Sequence, residues 1–172
     1  MVSNPLFCNL FRSTPYRQAH VLLLRDSLMC KAIATAPYLV ALCHIPLFDS
    51  DPTANPGDVA PADKDPRYST DYALWQRTCA NLWTPLLEKA GCQLIVCAHQ
   101  HKYRFDAPTE DRPWAQMVGG GCEESNPDAE DFPTVIEGIT QNGFLTVRAY
   151  NVLNGKLVDE RTFKPRKVRR RK

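Results

Sequence analysis

Apolar positions in this chain follow two helical stretches, two short continuous runs and a final set of alternating segments. Between residues 17 and 34, Ala19, Leu22, Leu23, Met29, Cys30 and Ile33 fall near one side of a helix. Thr35 and Ala36 end it, because the residue before Pro37 is pushed out of the helical region. Residues 38–43 (YLVALC), bounded by Pro37 and Pro46, and residues 94–98 (LIVCA) are apolar throughout, as suits strands buried on both faces. Between them, residues 70–90 predict a helix. Tyr72, Trp75, Cys79, Leu82, Trp83, Leu86, Leu87 and Ala90 repeat with the 3, 4 spacing of one buried face. Ser69 suits the N-cap and Gly91 the C′ position. Pro85 should kink the helix or restart it after Thr84, since it removes an amide donor. Strand, polar loop (residues 49–69), helix, strand is a crossover unit joining neighbouring strands.

The last third changes period. Residues 114–118, 134–140, 144–150 and 157–163 are short, β-rich and separated by turn residues. Asn142-Gly143 and Asn154-Gly155 are hairpin signals. These segments are expected to form an antiparallel set after the helix-containing part, giving an α/β chain of the α+β sandwich type. Gly119-Gly120-Gly121 closes the first of them without the spacing or the strand-to-helix context of a nucleotide-binding loop.

Composition adds bounds. With 172 residues, 44% hydrophobic and 23% charged, the chain has ordinary globular proportions. No apolar run approaches the roughly 20 residues of a membrane-spanning helix, and the start lacks the pattern of a signal peptide; the compartment is left open. The net charge of +2 conceals a division. Seven of the 21 basic residues lie among the last nine: Lys164, Arg166, Lys167, Arg169, Arg170, Arg171 and Lys172. The rest of the chain is acidic. A basic end of this kind suits a solvated, disordered tail, or a contact with nucleic acid or an anionic surface through counterion release. It contains no aromatic residue for base stacking. The seven cysteines are odd in number and show no CxxC spacing, so they are read as mostly reduced packing residues.

Candidate chemistry concentrates in the histidines. His44 follows the first apolar run; His99 and His101 follow the second, in Ala98-His99-Gln100-His101. In α/β sheets, ligands bind beyond the carboxyl ends of the strands. If the two runs are parallel neighbours, the three imidazoles meet there, and neutral imidazole is the commonest metal-binding side chain. His20, on the first helix, is read as structural or exposed. Asp49 is the acid nearest in sequence to His44, and Lys102 and Tyr103 follow His101 closely enough to line a site. The acids at 49–65 and 123–131 otherwise read as solvated loop charge.

The strings VALCHIPLF (residues 40–48) and AGCQLIVCAHQHKY (residues 90–103) resemble the last two metal-binding motifs of the calcineurin-like metallophosphoesterases, which include the purple acid phosphatase-like enzymes. The resemblance covers roughly residues 18–163. It implies a β-sandwich flanked by helices, with two divalent or trivalent metal ions (manganese, iron or zinc) that hydrolyse a phosphate ester by a metal-bound hydroxide. His44 and His99 resemble ligands of one ion, and His101 a ligand of the other. Ala98 stands where the family usually has glycine. The family's earlier motifs, Asp-x-His, Gly-Asp-x-x-Asp and Gly-Asn-His-Asp or -Glu, do not occur. The expected organisation is therefore an irregular segment (1–16), the C-terminal half of a metallophosphoesterase domain (17–163) and a basic tail (164–172). A half-domain of this kind is expected to be inactive alone and to self-associate through an open sheet edge.

Overall fold

A computed structural model of the chain describes residues 14–47, 69–110, 112–121 and 132–167. The chain divides into two compact units, one of residues 1–34 and 47–90, the other of residues 35–46 and 91–172.

The first unit contains helix α1 (Thr14–Met29) and helix α3 (Ser69–Ala90), which pack on each other. Along α3, Cys79, Ala80, Thr84 and Leu87 are buried, the 3–4 spacing of a single face. The helix runs through Pro85 without a break. Pro85 and Asn81, the residue whose carbonyl loses its partner, are both exposed, so the freed oxygen lies on a side of the helix open to solvent. The expected restart after Thr84 therefore does not occur. Gly91 ends α3 with φ +71°, the left-handed C′ position. A short helix α2 (Lys31–Thr35) follows α1, so the expected first helix is two helices, separated at Cys30.

The second unit is a two-layer sandwich. Strands β1 (Val40–Leu42), β2 (Leu94–Cys97), β3 (Arg104–Asp106) and β4 (Ala115–Val118) form a mixed sheet in the order β1-β2-β4-β3. β1 and β2 are parallel, β2 and β4 are parallel, and β3 runs antiparallel to β4. Strands β5 (Thr134–Gln141), β6 (Phe144–Asn151) and β7 (Leu157–Phe163) form an antiparallel sheet. The Asn142-Gly143 turn joins β5 and β6 with φ of 52° and 76°, the positive pair that a two-residue hairpin demands. Between the sheets lie Leu94, Ala115, Met117, Leu145 and Val147, flanked by Tyr38, Val96, Tyr103, Phe105, Ile136 and Phe163. This architecture is the α/β class that the pattern predicts.

Two strand expectations are corrected. The 114–118 segment does not join the antiparallel set; as β4 it lies beside β2, buried along its whole length. β1 is not buried on both faces. It pairs with β2 alone among the described residues, and Leu42 is 82% exposed. Register places Val40 beside Leu94 and Leu42 beside Val96, so the apolar face of the sheet continues past the area that the second sheet covers.

The basic end is also not wholly a tail. The Lys164 carbonyl accepts from Gln93 Nε2, the Arg166 amide donates to Pro37 O at 2.8 Å, and Arg166 Nε donates to Ala36 O at 2.8 Å. The chain beyond β7 is thus fastened beside the starts of β1 and β2, and residues 168–172 lie outside the described part.

Two outcomes follow from these contacts. Gly121 has φ +91°, and an added Cβ would overlap the Pro133 backbone, whereas one at Gly143 would meet nothing within 4 Å. Gly121→Ala should cost about 3 kcal/mol or more and Gly143→Ala about 1–2 kcal/mol, compared by urea unfolding. The β1 edge, unpaired on its outer side among the described residues, should make the apparent mass in light scattering rise with concentration, and Leu42→Lys should reduce that rise.

Candidate functional site

Parallel pairing sends the chain out of β1, β2 and β4 at the same end of the sheet. Backbone bonds continue the ladder past the assigned strands: Cys43 N to Val96 O at 3.0 Å, Ala98 N to His44 O at 3.0 Å, and Gly119 N to Cys97 O at 2.8 Å. A further bond, Gly121 N to His101 O at 2.7 Å, ties the glycine run after β4 to the loop after β2. His44, residues 98–102 and residues 119–121 therefore start side by side.

The first two candidate histidines meet. His44 Nε2 and His99 Nδ1 are 3.3 Å apart, with the rings edge to face at 79° and centroids 5.1 Å apart. The residues at 44, 99 and 101 all keep exposed surface. Burial of the His99 ring lowers its pKa below the ordinary imidazole value, and the nearby His44 and His101 rings lower it further. Both effects disfavour the charged form of His99. His101 is close enough to act electrostatically on His99. Among the described residues, no group of three or more His, Cys, Asp or Glu side chains is arranged to hold a metal ion.

The backbone that presents these rings is unusual. His99 and His101 have φ of 71° and 56°, in the left-handed region that non-glycine residues seldom occupy. Gln100 N donates to Ala98 O at 2.8 Å, so a single positive-φ residue, His99, sits at the centre of an i to i+2 turn. Turns of that hand are rare and strained. Each such residue costs on the order of 1–3 kcal/mol and persists only where its surroundings hold it.

The other candidates part ways. Tyr103 does not line the site: its hydroxyl donates to Asp159 Oδ2 at 2.7 Å, across the sandwich. Burial and the Asp159 carboxylate raise its pKa well above the usual tyrosine range. Lys102 is exposed beside His101. Asp49 and the side chain of His20 lie outside the described residues, as do the acids at 51–65 and 123–131. The five described cysteines, Cys30, Cys43, Cys79, Cys92 and Cys97, are free thiols. Burial pushes Cys43 and Cys92 up to about 11, so neither is a nucleophile at neutral pH.

The sequence pattern gave no notice of a polar chain behind the loop. Gln100 Oε1 accepts from Arg104 Nη1 at 2.7 Å. Arg104 Nε and Nη2 donate to Asp106 Oδ1 and Oδ2 at 2.8 and 3.1 Å, and Gln116 Nε2 donates to Asp106 Oδ2 at 2.6 Å. Its one signal in the sequence is Arg104-Phe105-Asp106, two charges two apart, which puts both on one face of a strand.

No family model matches the chain, and no curated protein does. Among solved structures, the chain is similar to a single-residue variant of Vps29 from Entamoeba histolytica, with 13% identity and a TM-score of 0.33. That match covers 49% of this chain and 47% of the other, so the chain spans about half the length of that protein.

A pH dependence follows from the lowered pKa of His99. As pH falls below about 6.5, the unfolded chain takes up this proton before the folded one does. The contribution of His99 to stability is therefore complete above about pH 6.5 and is lost as pH falls from there through the lowered value. Urea unfolding of the metal-free protein across this range should show the loss, and His99→Gln should flatten it.

Proposed function

We propose that this chain supplies the histidine ligands of a metal-dependent phosphoesterase centre of the calcineurin-like type. The separation of His44 Nε2 and His99 Nδ1 carries the reading. Two imidazole nitrogens, each about 2.0–2.1 Å from one tetrahedral ion, lie about 3.3–3.4 Å apart. The observed 3.3 Å matches that spacing, and in the absence of an ion the same distance lets one ring donate to the other. The two rings also suit a ligand's role chemically. Both residues keep exposed surface, and burial with the neighbouring rings favours the neutral form of His99, the form a ligand needs. His101 is assigned to a second ion.

A pair of ions at such a centre would turn water into hydroxide at neutral pH and clamp the oxygens of a phosphate ester. The part played by this chain is narrower. His44 and His99 would hold one ion beyond the carboxyl ends of β1 and β2, and His101, exposed in the same short loop, would serve the other. Manganese, iron and zinc all accept imidazole.

Two imidazoles and a third nearby fall short of the three or four protein ligands each ion requires. The remaining ligands have to come from other side chains, and hydrolysis by this chain alone is not expected.

Equilibrium dialysis against zinc or manganese tests the assignment. The wild type should bind metal, and His44→Ala or His99→Ala should weaken binding by about 100-fold or more, beyond the loss of an outer partner. Unchanged binding in His99→Ala overturns the assignment. Turnover of a generic phosphate ester by the purified chain should stay at background with added metal. Robust turnover removes the claim that the centre is incomplete.

A further inference from the structure

The structure assigns Arg104, with Asp106 and Gln116 behind it, as a positioning group that holds the His99–His101 loop in its strained conformation through Gln100. This inference rests on the proposed metal centre for its chemical purpose, but its geometric content stands apart from it.

The chain of contacts begins at the one residue between the two loop histidines. Gln100 is tied at both ends: its amide donates to Ala98 O at 2.8 Å, and its side-chain oxygen accepts from Arg104 Nη1 at 2.7 Å. Arg104 then grips both oxygens of Asp106, a fork-on-fork pair that fixes direction as well as distance. Asp106 and Gln116 are fully buried and directly opposed on β3 and β4, and Gln116 Nε2 closes the chain at 2.6 Å from Asp106 Oδ2. A second guanidinium, Arg112, lies near enough to feel the Asp106 charge, and its Nη2 donates to Ala107 O at 2.8 Å. The link therefore runs from the loop into the interior of the sheet.

This placement is hard to account for as a stability device. Burying the Asp106 carboxylate against a partly exposed guanidinium gains little over apolar residues of similar size, because the lost hydration offsets the attraction. What the pair does provide is a rigid, directional anchor close to the loop. Two positive-φ histidines in three residues need such an anchor, since the relaxed backbone would turn both rings elsewhere. Outer partners of metal-binding histidines act in this way, and their loss typically costs about 10–100-fold in metal affinity.

The test changes Gln100, which carries the link without being part of the buried pair. Gln100→Ala should weaken zinc binding about tenfold by isothermal titration and leave the melting midpoint in place. It should also speed hydrogen exchange of the Gly121 amide several-fold, because that amide is held by His101 O. Gln100→Glu, which keeps an acceptor for Arg104, should restore both readouts. Zinc affinity and Gly121 exchange at wild-type levels in Gln100→Ala overturn the assignment. If the wild type binds no zinc, the metal-centre reading fails. Gly121 exchange in Gln100→Ala then decides the positioning role alone: faster exchange upholds it and unchanged exchange overturns it.

Discussion

Parallel pairing of β1 with β2, and of β2 with β4, is the constraint on which the site depends. Neighbouring strands in a sheet lie about 4.8 Å apart. When they run in the same direction, the loops that leave them begin at that spacing. His44 and His99 are 55 residues apart in sequence, and their rings meet because Leu42 and Val96 stand in register just before them. Antiparallel pairing would send the two histidines to opposite ends of the strands, about 10 Å or more apart. The backbone bonds beyond the strand ends, from Ala98 to His44 and from Gly121 to His101, extend the same order into the loops.

The two faces of the four-stranded sheet do different work. Leu94, Val96, Ala115, Met117 and Phe105 face the three-stranded sheet and make an apolar core. Such a core is non-directional and tolerates substitution of similar volume. The opposite face carries Arg104, Asp106 and Gln116 in one hydrogen-bonded line. Its interactions are directional, so it can hold a backbone turn that burial alone would not specify. The Gly120–Gly121 run adds a steric condition on the same side of the site, because side chains there would strike the backbone near Phe132 and Pro133.

Much of this was legible in particular residues. The runs YLVALC and LIVCA mark parallel neighbours, and Asn142-Gly143 marks the β5–β6 hairpin with the backbone angles such a turn requires. The position of His44, His99 and His101 just after those runs identified the candidate site. Other features were not legible. Arg104-Phe105-Asp106 carries two charges in three residues and is not singled out in the sequence, yet Asp106 is fully buried, with Arg104 and Gln116 satisfying it. The 114–118 segment reads as a strand, but its place in the β-rich last third grouped it with the antiparallel strands, and only the pairing with β2 separates it from them. Pro85 signals a break that does not occur, because the side of the helix on which it falls is exposed. Arg166 reads as one cation of a solvated tail, while its guanidinium meets the carbonyl of Ala36, 130 residues earlier.

The sequence by itself determined the period of most segments, the class of the fold and the place of the candidate histidines just after the two apolar runs, because those depend on local pattern and on side-chain chemistry. Tertiary structure decided which strands are neighbours, that β1 is the edge strand of its sheet among the described residues, and that His44 and His99 come within 3.3 Å while Tyr103 turns away to Asp159. It also decided the positive φ of His99 and His101. A local sequence prefers the relaxed backbone there; only contacts from distant strands can hold the strained one.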